Sequence, residues 1–209
     1  MVNARPETIT KRSVLAVEGK DEVNFFDGFL HHIGIRDFQI VEVGGKDRFP
    51  EKIPELLKMP GFYEPDGSPY VRSLAVVRDK DRDNAFESVT NIVRKAGLFP
   101  PGKHGAFSGG RPRVGVFIMP GETIEGTMLE DLCLKTVEGH EAMQCVEQFA
   151  CCVGALSSAP KNMSKAKAQV FLAAQPDAVD TVGVGAQKKY WDFDSPALAE
   201  LKAFLANLR

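Results

Sequence analysis

Three acidic residues stand where an α/β chain would place them to hold a cation. Glu18 closes the apolar run Ser13-Val14-Leu15-Ala16-Val17 and opens Glu18-Gly19-Lys20-Asp21-Glu22. Asp79 and Asp81, in Arg78-Asp79-Lys80-Asp81-Arg82-Asp83, follow the run Leu74-Ala75-Val76-Val77. Carboxylates two residues apart just past a strand can point the same way and grip one ion. Hard divalent ions such as magnesium or manganese take oxygen ligands, usually a few carboxylates plus water and substrate phosphate. Glu18, from a neighbouring strand, fits either a third ligand or a general acid/base. A further run, Val114-Gly115-Val116-Phe117-Ile118-Met119, leads into a segment carrying Glu122, Glu125, Glu130 and Asp131. Without a cation such a cluster repels itself and raises the pKa values of its members. Glu22, Asp83 and Glu122 are equally well explained as first-turn acids favoured by a helix dipole.

The elements that must position these groups alternate along the chain. Strands are expected over 13–17, 38–43, 73–77 and 113–119, with helices over 21–33, 48–58 and 84–96 between them. Further helices are expected over about 127–152, broken near Gly139, then 163–174 and 195–208. The last has Asp194 or Ser195 as its N-cap and Pro196 in its first turn. Nearly continuous apolar strands separated by helices predict an α/β fold with a mainly parallel four-stranded sheet covered on both faces. Ligands of such sheets bind at the carboxyl ends of the strands, where the acids fall. The chain reads as one domain, 1–209, with an α/β core over 13–119 and a mainly helical part over 120–209 packed on it.

Composition bounds the function. The 209 residues are 44% hydrophobic and 26% charged, which excludes disordered and fibrous classes. No run is apolar and long enough to span a bilayer. The first residues carry no signal-peptide pattern, so a cytoplasmic protein is expected. Lys+Arg total 26 against 28 Asp+Glu, so the chain lacks the overall basic footprint of proteins that hold nucleic acid by charge alone. Basic residues do gather locally, at Lys161, Lys165, Lys167, Lys188 and Lys189, where a solvated helix face is an equal reading. The four cysteines, Cys133, Cys145, Cys151 and Cys152, include no Cys-x-x-Cys pair. They are expected to be reduced, mostly buried thiols, not zinc ligands, with His140 the one further candidate.

A strand ending in Val17-Glu18-Gly19, followed by a later strand ending in Asp79-Lys80-Asp81, resembles the Toprim domain. That domain occurs in topoisomerases, bacterial primases, recombination-mediator proteins and the overcoming-lysogenization-defect nucleases. The resemblance covers about 13–119. The whole chain is most similar to small stand-alone Toprim-like proteins, through Gly126–Leu132 and the segment Ala186–Asp194. It implies a Rossmann-like fold with Glu18 as general acid/base, Asp79 and Asp81 as Mg2+ (or Mn2+) ligands, and Gly19 as the glycine of the turn. In the nucleases an acidic region after the fourth strand helps hold a second metal, for which Glu130 and then Asp131 are the candidates here. No tyrosine-bearing winged-helix domain and no Gly-x-x-x-x-Gly-Lys-Ser/Thr loop accompanies the match, since Gly44-Gly45-Lys46 has other spacing. Topoisomerase activity is therefore not expected.

Lys20, Lys46, Lys80 and Arg78 lie beside the acidic strand ends. Lys46, Lys20 and Arg78 are the candidates for substrate phosphate, with Arg82 as a further flanking cation. Gly109-Gly110-Arg111-Pro112-Arg113 is a basic turn, read first as a surface loop and second as a nucleic-acid contact. His31 and His32 end a helix, where cations suit the dipole. Trp191 and Tyr190 fit core packing better than base stacking. The expected function is Mg2+-dependent hydrolysis or nicking of nucleic acid, DNA or RNA. The alternatives are a non-catalytic module binding metal, nucleic acid or a protein partner (a homodimer included), and phosphoryl transfer on a small nucleotide.

Overall fold

The computed structural model describes residues 8–81 and 84–208. Four strands, β1 (Ser13–Val17), β2 (Gln39–Glu42), β3 (Ser73–Asp79) and β4 (Arg113–Met119), form one sheet in the order β2-β1-β3-β4. All three pairings are parallel. Parallel neighbours require crossover connections, and helices supply them: α1 (Lys20–His32), α2 (Phe49–Leu57) and α3 (Ala85–Lys95). A 3-10 turn, Lys46–Arg48, precedes α2. The chain closes with α4 (Leu129–Thr136), α5 (Met143–Gly154), α6 (Met163–Ala173), α7 (Val182–Gln187) and α8 (Ala199–Ala206).

Period-two alternation splits the buried strand residues between two cores. Leu15, Val17, Ala75, Val77, Phe117 and Met119 face α1 and the C-terminal helices. Val14, Ala16, Leu74, Val76, Val114 and Val116 face α2 and α3. Both sheet faces are thus dry, which is why every one of these positions is apolar. The C-terminal helices cover the α1 face, with Leu132, Phe171, Trp191, Leu201 and Leu205 in the same core as β1 and β3.

The expected strands and the first three helices are present with their bounds within two residues. The C-terminal region is more broken: α4 and α5 are separate, and α7 is an additional short helix. Ser195 rather than Asp194 caps the C-terminal turn, accepting from the Ala197 N–H, while Asp194 bonds to His32 at 2.9 Å. The expectation of mostly buried thiols is corrected: only Cys133 is buried, and Cys145, Cys151 and Cys152 are exposed. Among α5 residues only Met143 and Val146 are buried, so the cysteine face meets solvent.

The connections fix where a ligand can bind. From β1 the chain crosses to β2 on one side; from β3 it crosses to β4 on the other. The two crossovers diverge between β1 and β3, leaving a crevice at their carboxyl ends, the usual ligand position in an open α/β sheet. β1 delivers Glu18 there and β3 delivers Asp79.

Candidate acidic metal site

Backbone contacts hold each strand end in place. The Gly44 and Gly45 N–H groups both donate to the Glu18 carbonyl at 2.9 Å, so the end of β2 is folded over the end of β1. Both glycines have positive φ, 90° and 112°, a conformation that side-chain-bearing residues rarely adopt. On the other side the Lys80 and Asp81 N–H groups donate to the Thr127 carbonyl, at 2.9 and 3.1 Å, tying β3 to the segment after β4. Asp81 itself lies in the left-handed region at φ 51°, which aspartate tolerates better than most residues.

Six carboxylates converge on this crevice: Glu18, Asp21, Glu22, Asp79, Asp81 and Glu130. Burial drives the Asp79 carboxyl well above its ordinary range, and the charges of Glu22, Glu18, Glu130 and Asp81 push it further. Its Oδ1 accepts from the Leu129 N–H at 3.1 Å. Glu22 is pushed up to about 7, again mainly by burial, with Glu18 and Asp21 adding to it. Glu130 is raised by burial, with Lys165 3.7 Å away opposing the shift. Glu18 is raised by burial and then by the Asp81 charge; the backbone amides of Asp79 and Lys46 and the Arg78 charge pull it back.

Among the described residues, Glu18 Oε2 is buried without a hydrogen-bond donor, whereas the buried Asp81 Oδ2 faces two cations. Lys46 Nζ lies 3.2 Å from Asp81 Oδ2, and Arg78 lies behind it at 4.0 Å. Buried carboxylate oxygens without donors are costly, and a bound cation is the usual compensation. The donor set, several oxygens at a crevice with no sulfur or imidazole, suits a hard divalent ion.

The other sequence candidates divide. Gly19 has an extended backbone at φ −147°, not a left-handed turn; its N–H donates to Glu22 Oε2 at 2.9 Å, and a Cβ there would lie 3.2 Å from that oxygen. Its smallness is needed for close approach. Asp131 is spent on structure: Oδ2 accepts from the Thr127 and Met128 N–H groups at 2.7 and 3.1 Å, and Oδ1 from Ser164. Arg78 is only 4% exposed and donates to Ser88 Oγ at 3.2 Å, which makes it a countercharge beneath Asp81. Lys20 and Lys80 are exposed at the rim. Glu122 and Glu125 are exposed on the loop after β4. Arg82 and Asp83 lie outside the described residues. Trp191 is 2% exposed, donates to the Val182 carbonyl at 2.8 Å and stacks on Phe171, which confirms packing over base stacking.

Sequence reasoning placed Glu22 among helix-dipole acids and gave Asp21 no role. The four-residue spacing of Glu18 and Glu22 was the available signal, but it became specific only once α1 was seen to start at the crevice. A second group, His104, Glu122 and Glu200, also brings three ligand atoms together. There His104 Nε2 lies 2.8 Å from the Ile118 nitrogen and 3.2 Å from its carbonyl oxygen, and Nδ1 faces Glu200 at 3.4 Å. Glu200 Oε2 accepts from the Glu122 N–H at 2.9 Å. This network fastens α8 to the loop after β4. A cavity of about 1050 Å³ lies away from the acidic crevice, beside His31, His32 and Tyr190. Another, about 950 Å³, adjoins the acidic crevice through Lys80 and Thr127.

A family model described as a protein of unknown function (DUF3226) matches residues 12–209. No curated protein and no solved structure matches the chain.

Proposed function

The chain belongs to the DUF3226 family, and we propose that it hydrolyses phosphodiester bonds of nucleic acid with Mg2+ or Mn2+ held in the acidic crevice. The observation that carries this reading is Glu18 Oε2, buried without a donor among the described residues, beside carboxylates whose pKa values are raised. The resemblance to Toprim domains supports the same reading from the sequence.

Asp79 and Asp81 would hold the ion, with Glu130 and Glu22 close enough in charge to share it or a second one. A divalent ion in such a site stabilises charge developing on a phosphoryl group. Glu18 would move the proton, because a carboxyl whose pKa burial has raised is suited to general acid/base work. Lys46, paired with Asp81, is placed to meet a substrate phosphate from the β2 side, and exposed Lys20 from the α1 side. Asp131 keeps Thr127 and Met128 in position, so that the Thr127 carbonyl can hold the end of β3.

The test is cleavage of supercoiled plasmid, single-stranded DNA and RNA with Mg2+ or Mn2+, beside Glu18→Gln and Asp79→Ala. Metal-dependent cleavage is expected, falling by about 10²–10⁴ in Glu18→Gln and to background in Asp79→Ala. Metal should raise the Tm of the parent and of Glu18→Gln more than that of Asp79→Ala. Absence of cleavage by folded, metal-bound protein overturns the hydrolytic reading.

A further inference from the structure

We infer that the edge of the sheet opposite the acidic crevice is a second nucleic-acid surface, an arginine row that grips the phosphate backbone of a single strand. Arg12 precedes β1, Arg72 precedes β3 and Arg113 opens β4. Backbone hydrogen bonds link them in sequence: the Arg72 N–H donates to the Arg12 carbonyl at 2.8 Å, and the Arg113 N–H to the Arg72 carbonyl at 2.9 Å. Ser13 pairs with Ser73, and Ser73 with Arg113, so the arginines occupy three adjacent strand starts. Adjacent strands lie about 4.8 Å apart, so Arg12 and Arg72, each one residue ahead of the paired serines, are held side by side, while Arg113 points to the other sheet face, over the Phe107 ring at 5.2 Å. Arg111, two residues before Arg113, extends the row beyond β4.

Nothing described neutralises them. Arg12, Arg72 and Arg111 are exposed, and none of the four makes an ion pair among the described residues. Neighbouring Lys11, by contrast, is paired with Asp37 at 2.9 Å. In the 61–70 segment Asp66 accepts from the Ser68 N–H and Oγ.

Aromatic rings stand at both ends of the row. The Arg12 guanidinium lies over the Tyr70 ring at 5.5 Å. At the other end Phe99 is 73% exposed and rests on Gly110, where a Cβ would meet the ring at 3.1 Å. An exposed phenylalanine fixed beside an arginine can stack a base, and guanidinium forks suit phosphate. A β3 strand of seven residues separates this edge from Asp79 by about 20 Å. The row therefore binds independently of the metal site, and the inference does not rest on hydrolysis.

The test measures binding of fluorescein-labelled oligodeoxythymidylate and oligouridylate in EDTA, which keeps the metal site out of the readout. Both should bind. Three phosphate contacts give a log–log salt slope of about −2 for single strands, or about 15-fold weaker binding from 50 to 200 mM NaCl. Arg72→Gln/Arg111→Gln, with unchanged Tm, should flatten the slope to about −0.7. Phe99→Ala should weaken binding by about five-fold or more. Lys135→Gln/Lys188→Gln, which removes the same charge elsewhere, should change neither. Failure to bind either oligonucleotide overturns the inference, as does an unaltered slope in the arginine double variant. Binding to phosphatidylserine vesicles but not to oligonucleotides overturns it in favour of a lipid surface.

Discussion

The fold disfavours the charge of Glu22, whose pKa is raised from 4.5 to about 7 by burial, with Glu18 and Asp21 adding to it. A raised carboxyl pKa means the folded chain binds the proton more tightly than the unfolded chain. Stability of the metal-free protein should therefore fall as pH rises from about 4.5 to about 7, by up to about 3 kcal/mol from this group. Glu18, Asp79 and Glu130 shift in the same direction. Glu22→Gln is expected to stabilise the metal-free protein by about 2–3 kcal/mol at pH 8 and to be nearly neutral at pH 4. Urea denaturation at the two pH values checks this, and equal effects at both would refute it. Saturating Mg2+ should cancel most of the pH dependence of the parent. Gly126 makes a different demand at the same scale: φ is 136° and a Cβ would fall 2.4 Å from the Asp131 carboxyl carbon. Gly126→Ala should cost about 3 kcal/mol in the same measurement.

At the scale of elements, β1 and β3 were legible because a strand buried on both faces has to be apolar until it leaves the sheet. Glu18 marks the exit of β1, and Asp79 ends β3 one residue after the buried Arg78. Helix α7 was not legible. Val182-Gly183-Val184-Gly185 has a strand former's side chains and two glycines, and its helix exists because of what it touches. Gly183 packs against the backbone of α1, where a Cβ would lie 2.7 Å from the Asp21 carbonyl oxygen, and its N–H donates to Asp21 Oδ1 at 3.2 Å. Close approach of two helices selected glycine over helix propensity. Gly183→Ala should cost about 2–3 kcal/mol and, by moving Asp21 and the start of α1, weaken Mg2+ binding as well. Isothermal titration beside a denaturation curve separates the two effects; loss of stability with unchanged metal affinity would uncouple α7 from the crevice.

At the scale of the whole molecule, the acids gather at the carboxyl edge of a parallel sheet, and at its amino edge stand Arg12, Arg72 and Arg111, without an ion pair among the described residues. A net charge of −2 conceals that separation. The core on the α1 face is built jointly from β1, β3, β4 and the C-terminal helices, down to Leu208 beneath Ser13, whose Oγ donates to the Leu208 carbonyl at 2.8 Å. The two halves should accordingly unfold together. Trp191, the single tryptophan, reports on the C-terminal half. Its fluorescence and far-UV circular dichroism should give one coincident urea transition; separated midpoints would show that the 120–209 part unfolds independently.

The sequence by itself determined the α/β alternation, the four strands and the exits at Glu18 and Asp79, because burial on both faces writes itself into the order of apolar and charged residues. It also placed Lys46 and Glu130 beside those exits. Only the tertiary structure decided what each neighbour does. Asp131 became a brace through contacts with Thr127 and Ser164, Glu22 became a buried member of the acidic crevice, and Arg78 became a countercharge under Asp81. The pairing of Arg12 with Arg72 likewise needed strand register, since the two are 60 residues apart in the chain. Spacing along a chain predicts which residues share an element, but proximity between elements sets charge, burial and hydrogen bonding, and those exist only once the sheet is assembled.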